Sequence, residues 1–214
     1  MPTMQELPQA ATLTEELDRQ LETLVAKGYP TLAGLDEASF ADLVLPLRAL
    51  LHEVEVSDES HLPFVLVVRS ALVPTVSAVE QIQVDGKVGW TDMQDEIADY
   101  RPIAGVEIPD AGVYLLVDVS TGPETLNVRP VDALGMIRAA GRTPLTADEG
   151  VALLTQFPDV LTARNAFQTV GSRAANKRIP SFWVSKGAPR LGWCWAGNPH
   201  TWLGSGSAMV RLSA

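Results

Sequence analysis

The chain has 214 residues, 46% of them hydrophobic and 20% charged, with a formal net charge of −10. That length suits one domain or one domain with a small appendage, and the apolar share supplies a sizeable core, which excludes a disordered chain. The acidic balance argues against nucleic acid as a partner, because phosphate contacts need Lys and Arg.

Charge is unevenly spread. Residues 1–100 hold 18 acidic and 5 basic residues, whereas 160–214 hold Arg164, Arg173, Lys177, Arg178, Lys186, Arg190 and Arg211 and no acid. Either the basic quarter faces the acidic half of its own chain or it offers a site for an anion. The single cysteine allows no intrachain disulfide. The opening "MPTMQELPQAATLTEELDRQ" lacks the basic and apolar regions of a secretory signal. The longest apolar run, "PFVLVV", is far short of a membrane span of about 20 residues. A soluble cytoplasmic protein with no membrane partner is the expectation.

In chain order, Thr12-Leu-Thr-Glu15 forms a capping box, and Leu13, Leu17, Leu21, Leu24 and Val25 follow at helical spacing up to Gly28. A second helix starts near Asp36 and runs to about Leu51, with Pro46 predicted to kink or divide it. Together they make an acidic amphipathic hairpin over 1–56, packed on an α+β domain over 57–214, the whole being one folding unit. "PFVLVVR" (63–69) reads as a buried central strand. "QIQVDGKVGW" (81–90) holds an Asp85-Gly86 turn that pairs Val84 with Lys87, or a longer bulged loop. "AGVYLLVDVSTG" (111–122) is the clearest strand. A helix over about 131–140 ends at Gly141. Thr146-Ala-Asp-Glu149 is a second capping box, opening a helix that stops at Pro158. The last quarter, "AFQTVGS", "IPSFWVS", "RLGWCWA" and "HTWLGS", reads as a β-meander. The fold class is α+β, with a largely antiparallel mixed sheet and flanking helices.

"GWCWAGNPHTW" (192–202) gathers three tryptophans, the cysteine and a histidine. Pro199 cannot donate to a ladder, so the segment reads as a hairpin with a loop over Ala196 to Pro199. Its register places Trp193, Trp195, His200 and Trp202 on one face, and Cys194, Thr201 and Leu203 on the other. A Cys194–His200 nucleophilic pair is therefore disfavoured by parity. The three tryptophans carry on the order of 600 Å² of surface, worth roughly 15 kcal/mol of gross transfer energy, so they are core, pocket lining or interface. As a pocket they would act with Arg190, Asn198 and Trp183, and the ligand would be a small molecule or a peptide.

Several segments resemble an uncharacterised family of actinobacterial proteins: the closing "KGAPRLGWCWAGNPHTWLGSGSA", the middle "AGVYLLVDV…NVRP…GRTPLTADEGVAL" and the opening "LDRQLETLVAKGYPTLAGL". The resemblance implies a bacterial cytoplasmic protein. That family has no assigned activity, so it carries over no site residue.

Other clusters are weaker. His52, Glu53, Glu55, Asp58, Glu59 and His61 match no zinc spacing and read as a solvated acidic loop, so no metal is expected, nor any other cofactor. Gly204-Ser-Gly-Ser207 reads as a flexible turn or a phosphate nest. Arg173, Lys177 and Arg178, after a Gly-Ser turn, are a weak anion-binding candidate. Asp118, ending the clearest strand, is the acid singled out for inspection. No Gly-x-Ser-x-Gly elbow is present. Catalytic residues are unassigned, and three classes remain: a ligand- or peptide-binding domain, a structural module or homo-oligomer, and an enzyme of unrecognised type.

Overall fold

The computed structural model describes residues 12–162 and 164–214. The opening residues 1–11, read above as carrying no signal, lie outside the described residues. Helix α1 (Leu13–Ala26) is capped by Thr12, whose hydroxyl accepts from Glu15 N at 3.2 Å. A short α2 (Tyr29–Leu32) follows Gly28, which adopts a left-handed conformation. Helix α3 (Glu37–Val44) is capped by Asp36, accepting from Ser39 N at 2.7 Å. It gives way to a 3-10 segment at Leu45–Glu53, as Pro46 removes the amide the α-helix would need.

The remaining elements are β1 (Leu62–Val68), α4 (Thr75–Val79), β2 (Gln83–Val84), β3 (Lys87–Val88), β4 (Trp90–Thr91), a 3-10 turn at Ile97–Asp99, β5 (Arg101–Pro102) and β6 (Val113–Val119). Then come α5 (Pro130–Ala139), β7 (Thr143–Pro144), α6 (Ala147–Gln156), β8 (Ala166–Gln168), β9 (Ser172–Arg173), β10 (Arg178–Ser185) and β11 (Ala188–Trp195). The chain closes with β12 (Leu203–Ser205), β13 (Ser207–Ala208) and β14 (Val210–Leu212). The fold is α+β.

Two sheets organise the molecule. The first has the order β1-β6-β14, all antiparallel. The second, largely antiparallel, has the order β12-β8-β10-β11-β4. Helix α6 is buried along nearly its whole length and packs against both β1 and β10. Gly150 allows this: a Cβ there would run into the Phe182 ring and Thr169. One continuous apolar cluster joins Leu17 and Leu24 of α1, Phe40 of α3, the strands of the first sheet, α6 and Phe182.

The structure departs from expectation at β1. The strand is fully apolar, but it is an edge strand, and β6 is central. Its free edge is closed by a side chain. Gln20 of α1 accepts from Leu66 N at 2.6 Å and donates to Phe64 O at 3.1 Å, filling the place of a neighbouring strand. The β2–β3 hairpin has the two-residue Asp85-Gly86 turn, both residues at positive φ, with Val84 opposite Lys87.

Candidate functional site

The segment 192–202 does not fold back on itself. β11 pairs with β10 through an eight-residue register and with β4, whereas β12 crosses the sheet to lie parallel to β8. The hairpin expected over 192–202 is thus replaced by a crossover that separates its two arms by β8 and β10. The edge of β11 that a return strand would have taken is occupied at Arg190 and Leu191 by the parallel strand β4. β8, β10 and β11 keep the antiparallel neighbour order of a meander, and β12 breaks it.

The predicted binding residues therefore fall into three groups. Trp193 and Trp195 share a face with Arg178, their rings edge-to-face at 4.9 Å and its guanidinium 4.0 Å and 5.7 Å from the ring centres. Glu96 holds the other side of Arg178 at 3.2 Å. On the opposite face, Arg190 lies between Trp90 at 4.7 Å and Trp183 at 4.8 Å and pairs with Asp92 at 2.5 Å. Gly192 makes room for this stack, since any Cβ there would meet the Trp183 ring. His200 and Trp202 pair with each other at 5.5 Å in the loop before β12, and the His200 carbonyl accepts from Asn127 N. Asn198 is exposed, its amide turned back to Trp195 O. Cys194 faces away from Trp193 and Trp195, as its parity requires. Burial pushes its thiol up, against smaller opposing effects of the Ser181 hydroxyl and Arg190, and no hydrogen bond links it to His200.

Gly204–Ser207 is no anion nest. Ser205 N donates to Thr125 Oγ1, Gly206 N to Gln168 O and Ser207 N to Ser120 O, so those amides are already used within β12 and β13. The His52–His61 stretch brings together no metal cage: among the described residues no three His, Cys, Asp or Glu side chains converge as ligands.

His61 does meet Asp118. The Asp118 side chain is fully buried and accepts from Ser57 N at 3.1 Å, Ser57 Oγ at 2.6 Å, His61 Nδ1 at 2.8 Å and Arg142 Nη1 at 2.5 Å. Burial pushes its carboxyl up, but the hydrogen bonds from Ser57, Arg142 and His61 outweigh it and bring it down to about 2. These are the members of a hydrolytic triad in the wrong order. The Ser57 hydroxyl donates to the acid at 2.6 Å and lies 3.4 Å from His61 Nδ1, the same nitrogen that donates to Asp118, so that nitrogen has no lone pair with which to take the serine's proton. The cluster is a clamp tying the 54–61 loop and Arg142 to the end of β6.

A cleft of about 510 Å³ opens where β1 ends, beside α4, the 3-10 turn at Ile97–Asp99, β5 and the start of α6. Val76, Ile97 and Ile108 supply apolar wall, and Tyr100, Tyr114, Arg69, Arg101, Asp148 and Ser172 supply polar groups. Asp148 is held by Ser70 N at 3.0 Å and Thr75 Oγ1 at 3.2 Å. Arg69 Nη1 donates to the carbonyls of Pro109 and Ala111, which fixes the facing loop. Behind the cleft, Tyr114 donates to Glu149, and Arg211 binds both oxygens of the same carboxylate, at 2.5 Å and 2.9 Å.

Arg101 lines this cleft, and in the pairing of β5 with β9 it stands directly opposite Arg173, the residue after the cleft-lining Ser172. Cross-strand partners share a face with Cβ atoms about 4.5–5.5 Å apart, so the two arginine side chains leave the ladder on the same side. Neither has a carboxylate partner among the described residues; Arg173 Nη1 reaches only its neighbour's carbonyl, Ser172 O. Burial lowers the pKa of Arg173. Sequence reasoning named Arg173 but missed Arg101, Tyr100, Ile97 and Asp148. They are spread over some fifty residues in no motif, and the only local signal was the unpaired charge in "DYRPI".

A family model described as a family of unknown function (DUF5701) matches residues 23–214. The chain belongs to that family. The match takes in both sheets, all the elements around the cleft and all five tryptophans, so the site is built from family sequence rather than from an appendage. No curated protein and no solved structure gives a significant match to the chain. Among the described residues no helix is long and apolar enough to cross a membrane.

Proposed function

We propose that this protein binds a small organic anion in the cleft beside α6. The observation that carries the reading is the opposed pair Arg101 and Arg173, two cations on one face with no acid between them. Like charges placed directly across a strand pair destabilise it, and a ligand carboxylate or phosphate would turn that cost into binding. The cleft volume falls in the range of about 300–1,000 Å³ usual for small-molecule sites. Val76, Ile97 and Ile108 suit an apolar body. Asp148 repels an anion, so the anionic end belongs at the arginines and a hydroxyl or ammonium donor at Asp148. The expected ligand is a short hydroxy- or amino-carboxylate.

Thermal melts and calorimetry with a panel of such acids, and inorganic phosphate as the charge control, test this. At least one acid should stabilise the protein saturably, and the double variant Arg101→Ala/Arg173→Ala should lose about tenfold or more in affinity. Without ligand, Arg101→Ala should leave stability unchanged or raise it by up to about 1 kcal/mol, because it removes the repulsion. If no acid stabilises the chain, or the double variant binds as well as the parent, the cleft is not an anion site.

A further inference from the structure

The loop that carries the chain from β11 to β12 is tied to the segment that leads into α5. Val131 N donates to Ala196 O at 3.2 Å and Asn127 N donates to His200 O at 2.7 Å, so 126–131 and 195–202 run antiparallel. The strip they form has an apolar group at each end. Trp195 and Val131 stand at the first tie, Leu126 and Trp202 beside the second. All four are exposed, Trp195 at 45%, Val131 at 46%, Leu126 at 40% and Trp202 at 38%. The middle of the strip is polar, with Asn198 exposed and Arg129 paired with Asp132 at 2.6 Å.

Apolar side chains exposed singly need no explanation, whereas two indoles and two aliphatic groups on one strip mark a contact surface. With the exposed Pro199 between them, their accessible parts amount to on the order of 400 Å². Each partner in an ordinary interface buries about 800 Å², a little over half of it apolar. The strip therefore supplies nearly the whole apolar core of one such interface.

Charge identifies the occupant. Lys177, whose carbonyl accepts from Ala196 N, is exposed at the Trp195 end, and Glu124, two residues before Leu126, is exposed at the other. Neither has an ion-pair partner among the described residues. With Arg129 and Asp132 between them, the four charges cancel. A two-fold axis through the middle of the strip lays each end on the opposite end of a second copy. Lys177 then meets Glu124 twice, the Trp195–Val131 group meets the Leu126–Trp202 group twice, and Arg129 and Asp132 exchange partners. Such self-complementarity is what an isologous interface requires. The net charge of −10 makes two copies repel, so a balanced surface is where they can approach.

We propose that two copies of this chain pair through this strip about a two-fold axis, with its ends crossed. The indoles of each copy rest on the apolar group at the far end of the other, and Lys177 of each reaches the other's Glu124. This surface shares no residue with the Arg101–Arg173 cleft, so either can fail without the other.

Sedimentation velocity of the full chain over a concentration series tests it. The parent should show a reversible monomer–dimer equilibrium. Trp202→Ser should raise the dissociation constant about tenfold or more, and so should Lys177→Glu and Glu124→Lys taken singly. The double variant Glu124→Lys/Lys177→Glu should recover most of the parent's affinity, because the two charges meet only across the axis. All these positions are exposed, so at dilutions where only monomer is present each variant should melt with the parent. A chain that stays monomeric up to about 1 mM would overturn the proposal, as a complementary interface of this size binds more tightly than that. So would a dimer that Trp202→Ser leaves unchanged, which would lie elsewhere on the surface, or a double variant no better than the single ones, which would mean that the ends do not cross.

Discussion

Asp118 lies one residue before the end of β6 with φ at +55°, a conformation that costs an L-residue energy and that Asp tolerates better than most. Four donors from Ser57, His61 and Arg142 hold it there. Its carboxyl is depressed to about 2 from an ordinary value of 3.8. A depressed folded-state pKa stabilises the fold above the unfolded value and loses that contribution as pH falls toward the folded one. The clamp should therefore be at full strength above roughly pH 5 and fade between there and pH 2. Denaturant midpoints across that window should fall with acid in the parent and fall less steeply in Asp118→Asn. An equal slope in both would assign the acid sensitivity to other carboxylates. Asp118→Ala at neutral pH should cost about 3–5 kcal/mol, because Arg142 is left buried and unpaired.

Between elements, the join of α1 to β1 depends on one amide. Gln20 is fully buried, and its two ends satisfy one donor and one acceptor of the β1 edge. Gln20→Leu keeps the bulk and removes both bonds, leaving Leu66 N and Phe64 O without partners, at about 1–3 kcal/mol for each group. Hydrogen exchange should show faster exchange at Leu66 in this variant, with the β6 amides still protected. Unchanged exchange at Leu66 would mean that another group covers the edge. The same element-level logic makes Glu149 a shared part. It accepts from Thr146 N to close the capping box of α6 and binds Arg211 of β14. The capping box was legible from Thr146-Ala-Asp-Glu149. The partnership with Arg211 was not, because nothing local records a contact across sixty-two residues.

For the whole molecule, that contact ties the C-terminal strand to the central helix. Arg211 and Glu149 are both buried, so removing one partner is costly while replacing both need not be. Arg211→Ala should destabilise by about 3–5 kcal/mol in chemical denaturation, and Glu149→Gln/Arg211→Met by clearly less. A double variant as unstable as the single one would show that the carboxylate matters through Thr146 and Tyr114 rather than through Arg211.

The amino-acid sequence by itself determined the local choices. Caps at Thr12, Asp36 and Thr146, the break at Pro46, the Asp85-Gly86 turn and the two long apolar strands all follow from interactions within a few residues. It also set the parity that turns Cys194 away from its flanking tryptophans, since alternation is a property of any strand. Tertiary structure decided which strands meet. Apolar runs such as β1 and β6 read alike whether central or at an edge, so only a neighbour, here the side chain of Gln20, settles that β1 is an edge. The crossover of β12 to β8, the opposed Arg101 and Arg173, and the convergence of Ser57, His61 and Arg142 on Asp118 likewise join residues far apart in the chain. Such pairings are chosen by the total burial and hydrogen bonding of the folded molecule, to which no short window of sequence has access.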